Sequence, residues 1–392
     1  MSGGTCPVTG ATREIRGYQA VRLAAKDHEA YSSDLLGDRD VRTFKQLPLE
    51  VDPPRHAMYR EALQPWFLGT AVAVHDEAFA AIAQRLIDRV TAVGQGEVAS
   101  EVALPYVMGC LAELYGRPQD LDEWISWGPD VWTAEAYARG EVTAESRAAQ
   151  RERNFDSPTQ RSGATLHAYL DRVLTAAMAR AHDGVEPVDV WDELVRLDLG
   201  GRAPTIEEAN GIANILLAGG RDTVIKLITG IVWHLIRTPA DREFLAATPT
   251  AHSRAVSEFV RYLSPLHKIE RLETTPSDGC PVGGDHDAHV LLNFASANHD
   301  PTAWEHPGVI DIHRPRQPHL GFGFGRHSCL GMNVAEREAK AFLRVLLANW
   351  PSWELASEPE IEWVEEGEMT FLASFESVPV TVDTRRPEPS GE

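Results

Sequence analysis

Apolar positions recur at helical spacing through most of this 392-residue chain, and in order they predict a series of amphipathic helices. Tyr18 to Tyr31 is the first, with Val21, Leu23, Ala24 and His28 on one face and Ser32-Ser33-Asp34 as its end. From Leu35 to Val51 the pattern is irregular, Phe44, Leu47, Leu49 and Val51 alternating loosely with polar residues. A new helix starts at Asp52-Pro53-Pro54-Arg55-His56, because proline suits a first turn whose N–H groups have no partner. Helical runs follow at about 72–93, 105–116 and 119–134. A polar stretch from Ala138 to Gly163 then carries Arg139, Arg147, Arg151, Arg153 and Arg161, and Thr165–Ala181 and Val188–Leu199 are amphipathic again.

The longest predicted helix opens with a capping box, Thr205-x-x-Glu208 after Pro204, and runs to about Ile236. It is apolar on nearly every face, as a buried central helix should be. Its middle reads Ala218-Gly219-Gly220-Arg221-Asp222-Thr223. Two glycines inside a helix cost about 1 kcal/mol each against alanine, so something should compensate. The Thr223 hydroxyl can bond the Gly219 carbonyl four residues back, which bends the helix and opens a groove suited to a flat ligand. Further on, Glu258-Phe259-Val260-Arg261 sets an acid and a base at i, i+3 among apolar neighbours. Leu266–Leu272 and Val290–Ala297 read as strands, Asn298–Pro301 as a turn, Gly331–Trp350 as a helix, and Met369–Leu372 as an apolar turn. The fold class expected is mainly α with a small β portion. A single domain over residues 13–384 is expected between disordered ends at 1–12 and 385–392.

Charge narrows the partners. Lys and Arg total 37 against 58 Asp and Glu, a formal net charge of −21, which argues against nucleic acid. Four cysteines, at 6, 110, 280 and 329, show no Cys-x-x-Cys spacing, so neither a disulfide framework nor a zinc site is expected. No run of about 18 apolar residues occurs and the N-terminus has no apolar leader core, so no membrane span and a cytoplasmic setting are expected.

The candidate chemistry centres on Phe322-Gly323-Phe324-Gly325-Arg326-His327-Ser328-Cys329-Leu330-Gly331. A lone cysteine follows a glycine-rich turn and precedes a helix, where backbone N–H groups favour thiolate over thiol. The order Phe322-x-x-Gly325-x-His327-x-Cys329-x-Gly331 resembles the haem-binding loop of the cytochromes P450, and the resemblance extends from about Tyr18 to Val382. It implies that Cys329 ligates the iron of haem b, the thiolate pushing electron density onto the metal. It implies that Phe322 shields the sulfur while Gly325 and Gly331 let backbone approach. His56 and Arg60, four apart on one helix face, match the family's propionate-holding pair, and Arg271 and His327 match further donors. The Gly219–Thr223 stretch matches the oxygen-activation motif, with Asp222 relaying protons and Thr223 stabilising bound oxygen; Val224 stands where many members carry a second Thr or Ser. Glu258 and Arg261, with Arg314 as third partner, match a structural network. Substrate contacts are implied at Phe44, Leu216, Gly219, His267, Lys268, Ile269, Phe371 and Leu372, and a mobile lid at Ala138–Gly163. The family usually carries more chain ahead of Tyr18, including two strands, so the shortness here leaves the first sheet open.

The activity so implied is a monooxygenase that inserts one atom of O₂ into a small organic substrate, by hydroxylation or oxidative dealkylation. No flavin or nicotinamide fingerprint and no iron–sulfur cysteine set is present, so a ferredoxin and ferredoxin reductase are expected to supply electrons. Lys268 beside His267, with the arginines of the lid, suggests an anionic end on an otherwise apolar substrate. The plainer alternative is that Lys268 pairs with Glu270 or a haem propionate and the arginines are solvated. A peroxide-driven haem enzyme and a non-catalytic haem sensor or carrier are the rival functions; the Asp222–Thr223 pair speaks against the first.

Overall fold

The computed structural model describes residues 13–35, 45–128, 164–274, 288–367 and 369–382. Phe44, the lid arginines, Cys6 and Cys280 lie outside the described residues, as do both predicted tails.

A four-stranded sheet forms from very short pieces. β1 (Arg13–Ile15) runs parallel to β5 (Ala288–Asn293), β4 (Lys268–Glu273) pairs antiparallel with β5, and β2 (Tyr31–Ser32) closes the other edge against β4. The first sheet, left open by the sequence, is thus supplied by strands too short to show alternation. The first helix, α1 (Tyr18–Lys26), is shorter than predicted because the chain turns at Asp27 to deliver Tyr31 to β2; the Asp27 carboxylate accepts the Ala30 N–H at 3.0 Å.

Two further expectations are corrected. Only the first part of Val290–Ala297 is strand: Asn293 ends it and caps a short helix, Phe294–Asn298, by accepting the Ser296 N–H at 2.8 Å. Met369–Leu372 is not a turn but the start of β8 (Met369–Ser377), paired with β7 (Glu360–Glu366); the reversal follows at Gly367, whose φ of +67° favours glycine. A third sheet orders β3 (Gln95–Glu97), β9 (Pro379–Val382) and β6 (Trp353–Leu355).

The helices that build the body are α2 (Arg55–Leu63), α3 (Asp76–Val93), α4 (Leu104–Leu114), α5 (Ala164–His182), α6 (Ile206–Gly219), α7 (Asp222–Arg237), α8 (His252–Leu263) and α9 (Met332–Asn349). Two predicted runs are shorter than expected within the described residues: Leu121–Ser126 and Val190–Leu194. The capping box closes as expected, Thr205 Oγ1 accepting from the Glu208 N–H at 3.2 Å while the Glu208 carboxylate accepts from the Thr205 N–H at 2.9 Å. The long central helix is two helices, because Gly220 and Arg221 leave helical geometry between α6 and α7. Helix α7 is buried from Val224 to Leu235. At about 1.5–3 kcal/mol for each fully buried Ile, Leu or Val, it is a main source of core stability.

One core residue sets a pH dependence. Glu338 of α9 is fully buried, and neither carboxyl oxygen has a hydrogen-bond partner among the described residues. Burial raises its pKa well above the usual carboxylate value. The folded state therefore holds the Glu338 proton more tightly than the unfolded chain does. Stability is lost as pH rises from the unfolded value towards the folded one, at up to about 1.4 kcal/mol per pH unit. Glu338→Gln should remove this loss. In urea titrations from pH 5 to 8 the variant should gain on the parent as pH rises, and a constant difference would show that the group does not titrate in that way.

Candidate active site

The chain from Leu320 to Gly331 folds into a closed loop. The Cys329 N–H donates to the Phe322 carbonyl at 2.8 Å, the Gly323 N–H to Leu320 at 2.9 Å and the Ser328 N–H to Gly325 at 3.2 Å. Gly325 has φ +74°, and a Cβ there would stand 3.0 Å from the Ala25 carbonyl oxygen of α1, so the position admits glycine alone without strain. Arg60, from α2, ties the loop down by donating from Nη1 to the Ser328 carbonyl at 2.7 Å. Helix α9 starts at Met332, directly behind. Cys329 is enclosed by protein yet open to a cleft, whereas Cys110 is buried in the core.

The thiol's electrostatics differ from expectation. Burial pushes the Cys329 thiol up, against the pull of a Gly331 backbone hydrogen bond and the Arg60 charge. Desolvation outweighs the N–H groups, so the chain alone does not favour the thiolate. A coordinated metal ion supplies the charge that deprotonates such a thiol.

Beside the loop the structure gathers four basic side chains. The His56 and His327 rings lie edge to face with centroids 4.3 Å apart, and Arg60 and Arg271 complete the group. Arg271 is pushed down to about 10 by burial. His327 falls to about 2, first through burial and then through Arg271, His56 and Arg60; its Nε2 stands 3.0 Å from Ser33 Oγ. His56 is lowered by burial and then by Arg60, and its Nε2 is buried with no hydrogen-bond partner among the described residues. Arg60 and Arg271, whose charges lower both histidines, make a pocket of positive potential, fitted to an anionic ligand.

The α6–α7 break forms a second feature. Gly219 is exposed and Thr223 half-buried, although both lie in the middle of an otherwise buried helix pair, so a cleft reaches them. Thr223 Oγ1 donates to the Gly219 carbonyl at 3.0 Å. Asp222 Oδ1 stands 3.7 Å from Arg221 Nη1. Arg221, wholly buried, donates to the Gly128 carbonyl and so fixes the break from the other side.

Glu258, Arg261 and Arg314 come together. Arg261 Nε and Nη2 donate to the two Glu258 oxygens at 2.8 and 2.7 Å, and Arg314 Nε donates to Glu258 at 3.2 Å.

The residues implied as substrate contacts scatter more. Leu216 and Phe371 are buried, and Phe371 lies edge-on to His267 at 6.0 Å. Ile269 packs against the cluster that contains Tyr18, Val21, Leu292 and Phe294. Lys268 must be corrected: its ammonium is held by the carboxylates of Glu14 and Glu366, not by Glu270, which takes His289 Nδ1 at 2.6 Å. A lysine between two carboxylates is neutralised and offers a pocket little positive field. The residue missed is Lys226, which brings its ammonium to 2.7 Å from the Leu372 carbonyl and 3.1 Å from His267 Nε2. A lysine interrupting the apolar run Val224–Ile236 was the available signal.

Comparison with known proteins agrees with this geometry. Residues 253–374 match the family described as cytochrome P450. The chain is 30% identical over 328 residues to the cytochrome P450 monooxygenase PikC of Streptomyces venezuelae, covering 80% of this chain and 71% of that protein. It is 25% identical over 364 residues to a steroid C26-monooxygenase of Mycobacterium tuberculosis, covering 93% of this chain and 92% of that one. A solved structure described as that of a carbohydrate active P450 superposes with a TM-score of 0.78 at 27% identity, covering 94% of this chain and 91% of its own. A cysteine loop next to a cationic pocket, on a mainly helical fold with a small sheet portion, defines a haem-thiolate protein. The chain belongs to the cytochrome P450 family. It is an oxidoreductase, a haem-thiolate monooxygenase with haem b as its cofactor. The residues fit that group: a cysteine open to a cleft for the iron, and a basic cluster with an orphaned His56 Nε2 for its carboxylates. No helix among the described residues is long and apolar enough to cross a membrane.

Proposed function

We propose that Cys329 is the iron's proximal ligand and that His56, Arg60, Arg271 and His327 hold the haem carboxylates. The observation that carries this is the placement of Arg60, tied to the Ser328 carbonyl at 2.7 Å, and of Arg271 around the His56 and His327 rings, whose centroids are 4.3 Å apart beside the Cys329 loop, since cations gathered this closely need an anion. Phe322 shields the sulfur, Gly325 and Gly331 keep the loop close to it, and the Glu258–Arg261–Arg314 network holds the surrounding core.

When bound, haem supplies the redox chemistry by which one oxygen atom reaches the substrate. The chain supplies position and protons. Thr223 Oγ1 donates to the Gly219 carbonyl at 3.0 Å, and its lone pairs can accept a hydrogen bond from a protonated group in the cleft. Asp222, adjacent and half-buried near Arg221, relays protons towards the cleft, where Thr223 stabilises the reacting oxygen by hydrogen bonding. Electrons come from a ferredoxin and its reductase in the cytoplasm, and the substrate is a small organic molecule. The haem domain spans residues 13–384 between the two terminal tails.

Thr223→Ala tests the proton route. Substrate-binding spectra should be unchanged, while product formed per NADPH consumed drops and hydrogen peroxide rises in its place. Asp222→Asn should slow turnover by roughly 10²-fold. Coupling in Thr223→Ala equal to that of the parent would remove Thr223 from the route.

A further inference from the structure

Ser33 has no part in the assignments above, yet several bonds fix it in place. It follows directly on β2, whose Ser32 pairs with Leu272 of β4, the residue after Arg271. The Ser33 N–H donates to Asp52 Oδ1 at 2.9 Å, and its carbonyl accepts the Leu35 N–H at 2.9 Å. The Ser32 hydroxyl donates to the other Asp52 oxygen and accepts the Asp34 N–H at 3.0 Å. The Asp52 carbonyl accepts the His56 N–H at 3.0 Å, just ahead of α2, which carries His56 and Arg60. Ser32 and Ser33 are both buried. A two-residue strand is thereby locked to the helix and the strand that bear the basic cluster.

With its backbone held this way, Ser33 turns its hydroxyl to the site: Oγ stands 3.0 Å from His327 Nε2. A hydroxyl can donate or accept, so the imidazole decides which. Burial, and then the Arg271 charge, disfavour a cationic ring, so His327 has one N–H to place. Ser33 occupies Nε2, which leaves Nδ1 for a ligand. With the ring proton on Nε2, Nδ1 would present a bare lone pair, which repels an anion. With the proton on Nδ1, Nε2 accepts from Ser33 and Nδ1 is a donor. An anionic ligand beside Arg60 and Arg271 is served by the second arrangement alone.

We propose that Ser33 is a positioning residue for the haem: its hydroxyl donates to His327 Nε2, which puts the ring proton on Nδ1 and gives a haem carboxylate a donor there. This role rests on the reading that His327 holds such a carboxylate, and adds what fixes its ring and tautomer. Asp52 supports it from behind, since both of its oxygens take bonds from the Ser32–Ser33 pair. A ligand-binding histidine whose other nitrogen is engaged loses less freedom when the ligand arrives.

The test follows haem release from the loaded full chain to excess apomyoglobin, for the parent, Ser33→Ala, His327→Phe and the double variant. The same four proteins are also loaded with haem dimethyl ester, whose carboxyl groups carry no charge. Ser33→Ala should release haem about fivefold faster and the ester less than about twofold faster. On the His327→Phe background, Ser33→Ala should add less than about twofold, because Ser33 acts only through that ring. Ser33→Thr, which keeps the hydroxyl, should stay within about twofold of the parent. Nitrogen-15 spectra of the histidine-labelled, reduced carbon monoxide complex, which is diamagnetic, give a second reading. His327 should be the Nδ1–H tautomer in the parent and a mixture in Ser33→Ala, with His327→Phe assigning the signal. Should the extra methyl of Ser33→Thr not fit this buried site, the double-variant cycle and the spectra decide. Equal acceleration of haem and ester in Ser33→Ala, the same acceleration without the His327 ring, or an Nε2–H tautomer in the parent would overturn the proposal. His327→Phe separates the two levels. If it does not speed haem release over ester release, the carboxylate-binding reading of His327 fails; if it does and Ser33→Ala does not, only the role of Ser33 fails.

Discussion

Arg261→Leu should destabilise the protein by about 3–5 kcal/mol, because removing one partner of a buried ion pair strands the other. Arg261 is wholly buried and Glu258 nearly so. Besides its two bonds to Glu258, Arg261 donates to the carbonyls of Asn298 (2.7 Å), Pro307 (2.9 Å) and Val309 (2.9 Å). Glu258 in turn accepts the Asp311 N–H at 2.9 Å. The pair thus anchors the irregular chain between Asn298 and Asp311 to α8, ahead of the Cys329 loop. Against a total stability of about 5–15 kcal/mol the loss is large, and haem retention should fall with it. Glu258→Met should cost a similar amount, and the Glu258→Met/Arg261→Leu double variant much less than the sum of the single losses. Urea unfolding of the four proteins measures the cycle. Single variants within 1 kcal/mol of the parent would show that the network is dispensable.

Cys329→Ser should reduce turnover to background. A serine hydroxyl in the same loop keeps the backbone bonds to Phe322 but offers a poor ligand to iron, and the electron push of the thiolate is lost. The effect should exceed that of Asp222→Asn, which only impairs proton delivery. Far-ultraviolet circular dichroism and urea unfolding should stay close to the parent, since Cys329 lines a cleft rather than filling the core. Product formation within tenfold of the parent would mean that another residue serves the iron.

What could be read along the chain was local. The capping box at Thr205 and Glu208, the bond from Thr223 to Gly219 and the ion pair of Glu258 with Arg261 each link residues three or four apart, and helix geometry alone relates them. The Cys329 loop was legible for the same reason, its bonds closing within ten residues. Long-range pairing was not. Lys268 meets Glu14 from 254 positions earlier in the chain, and Lys226 meets Leu372 from 146 positions later. No local spacing encodes either contact. Strands of two or three residues, as at Tyr31–Ser32 and Arg13–Ile15, exist because β4 and β5 offer free edges, not because their sequences alternate. The thiol's direction of shift was misjudged because burial, a tertiary property, outweighed the N–H groups that the sequence made visible.

The most direct test of Cys329 as the iron's ligand is the absorption spectrum of the reduced carbon monoxide complex in four proteins: the parent, Cys110→Ser, Cys280→Ser and Cys329→His. The parent and the two serine variants should show the thiolate-type band, while Cys329→His retains some haem and lacks that band. A thiolate-type band surviving in Cys329→His, or lost in Cys110→Ser or Cys280→Ser, would contradict the assignment.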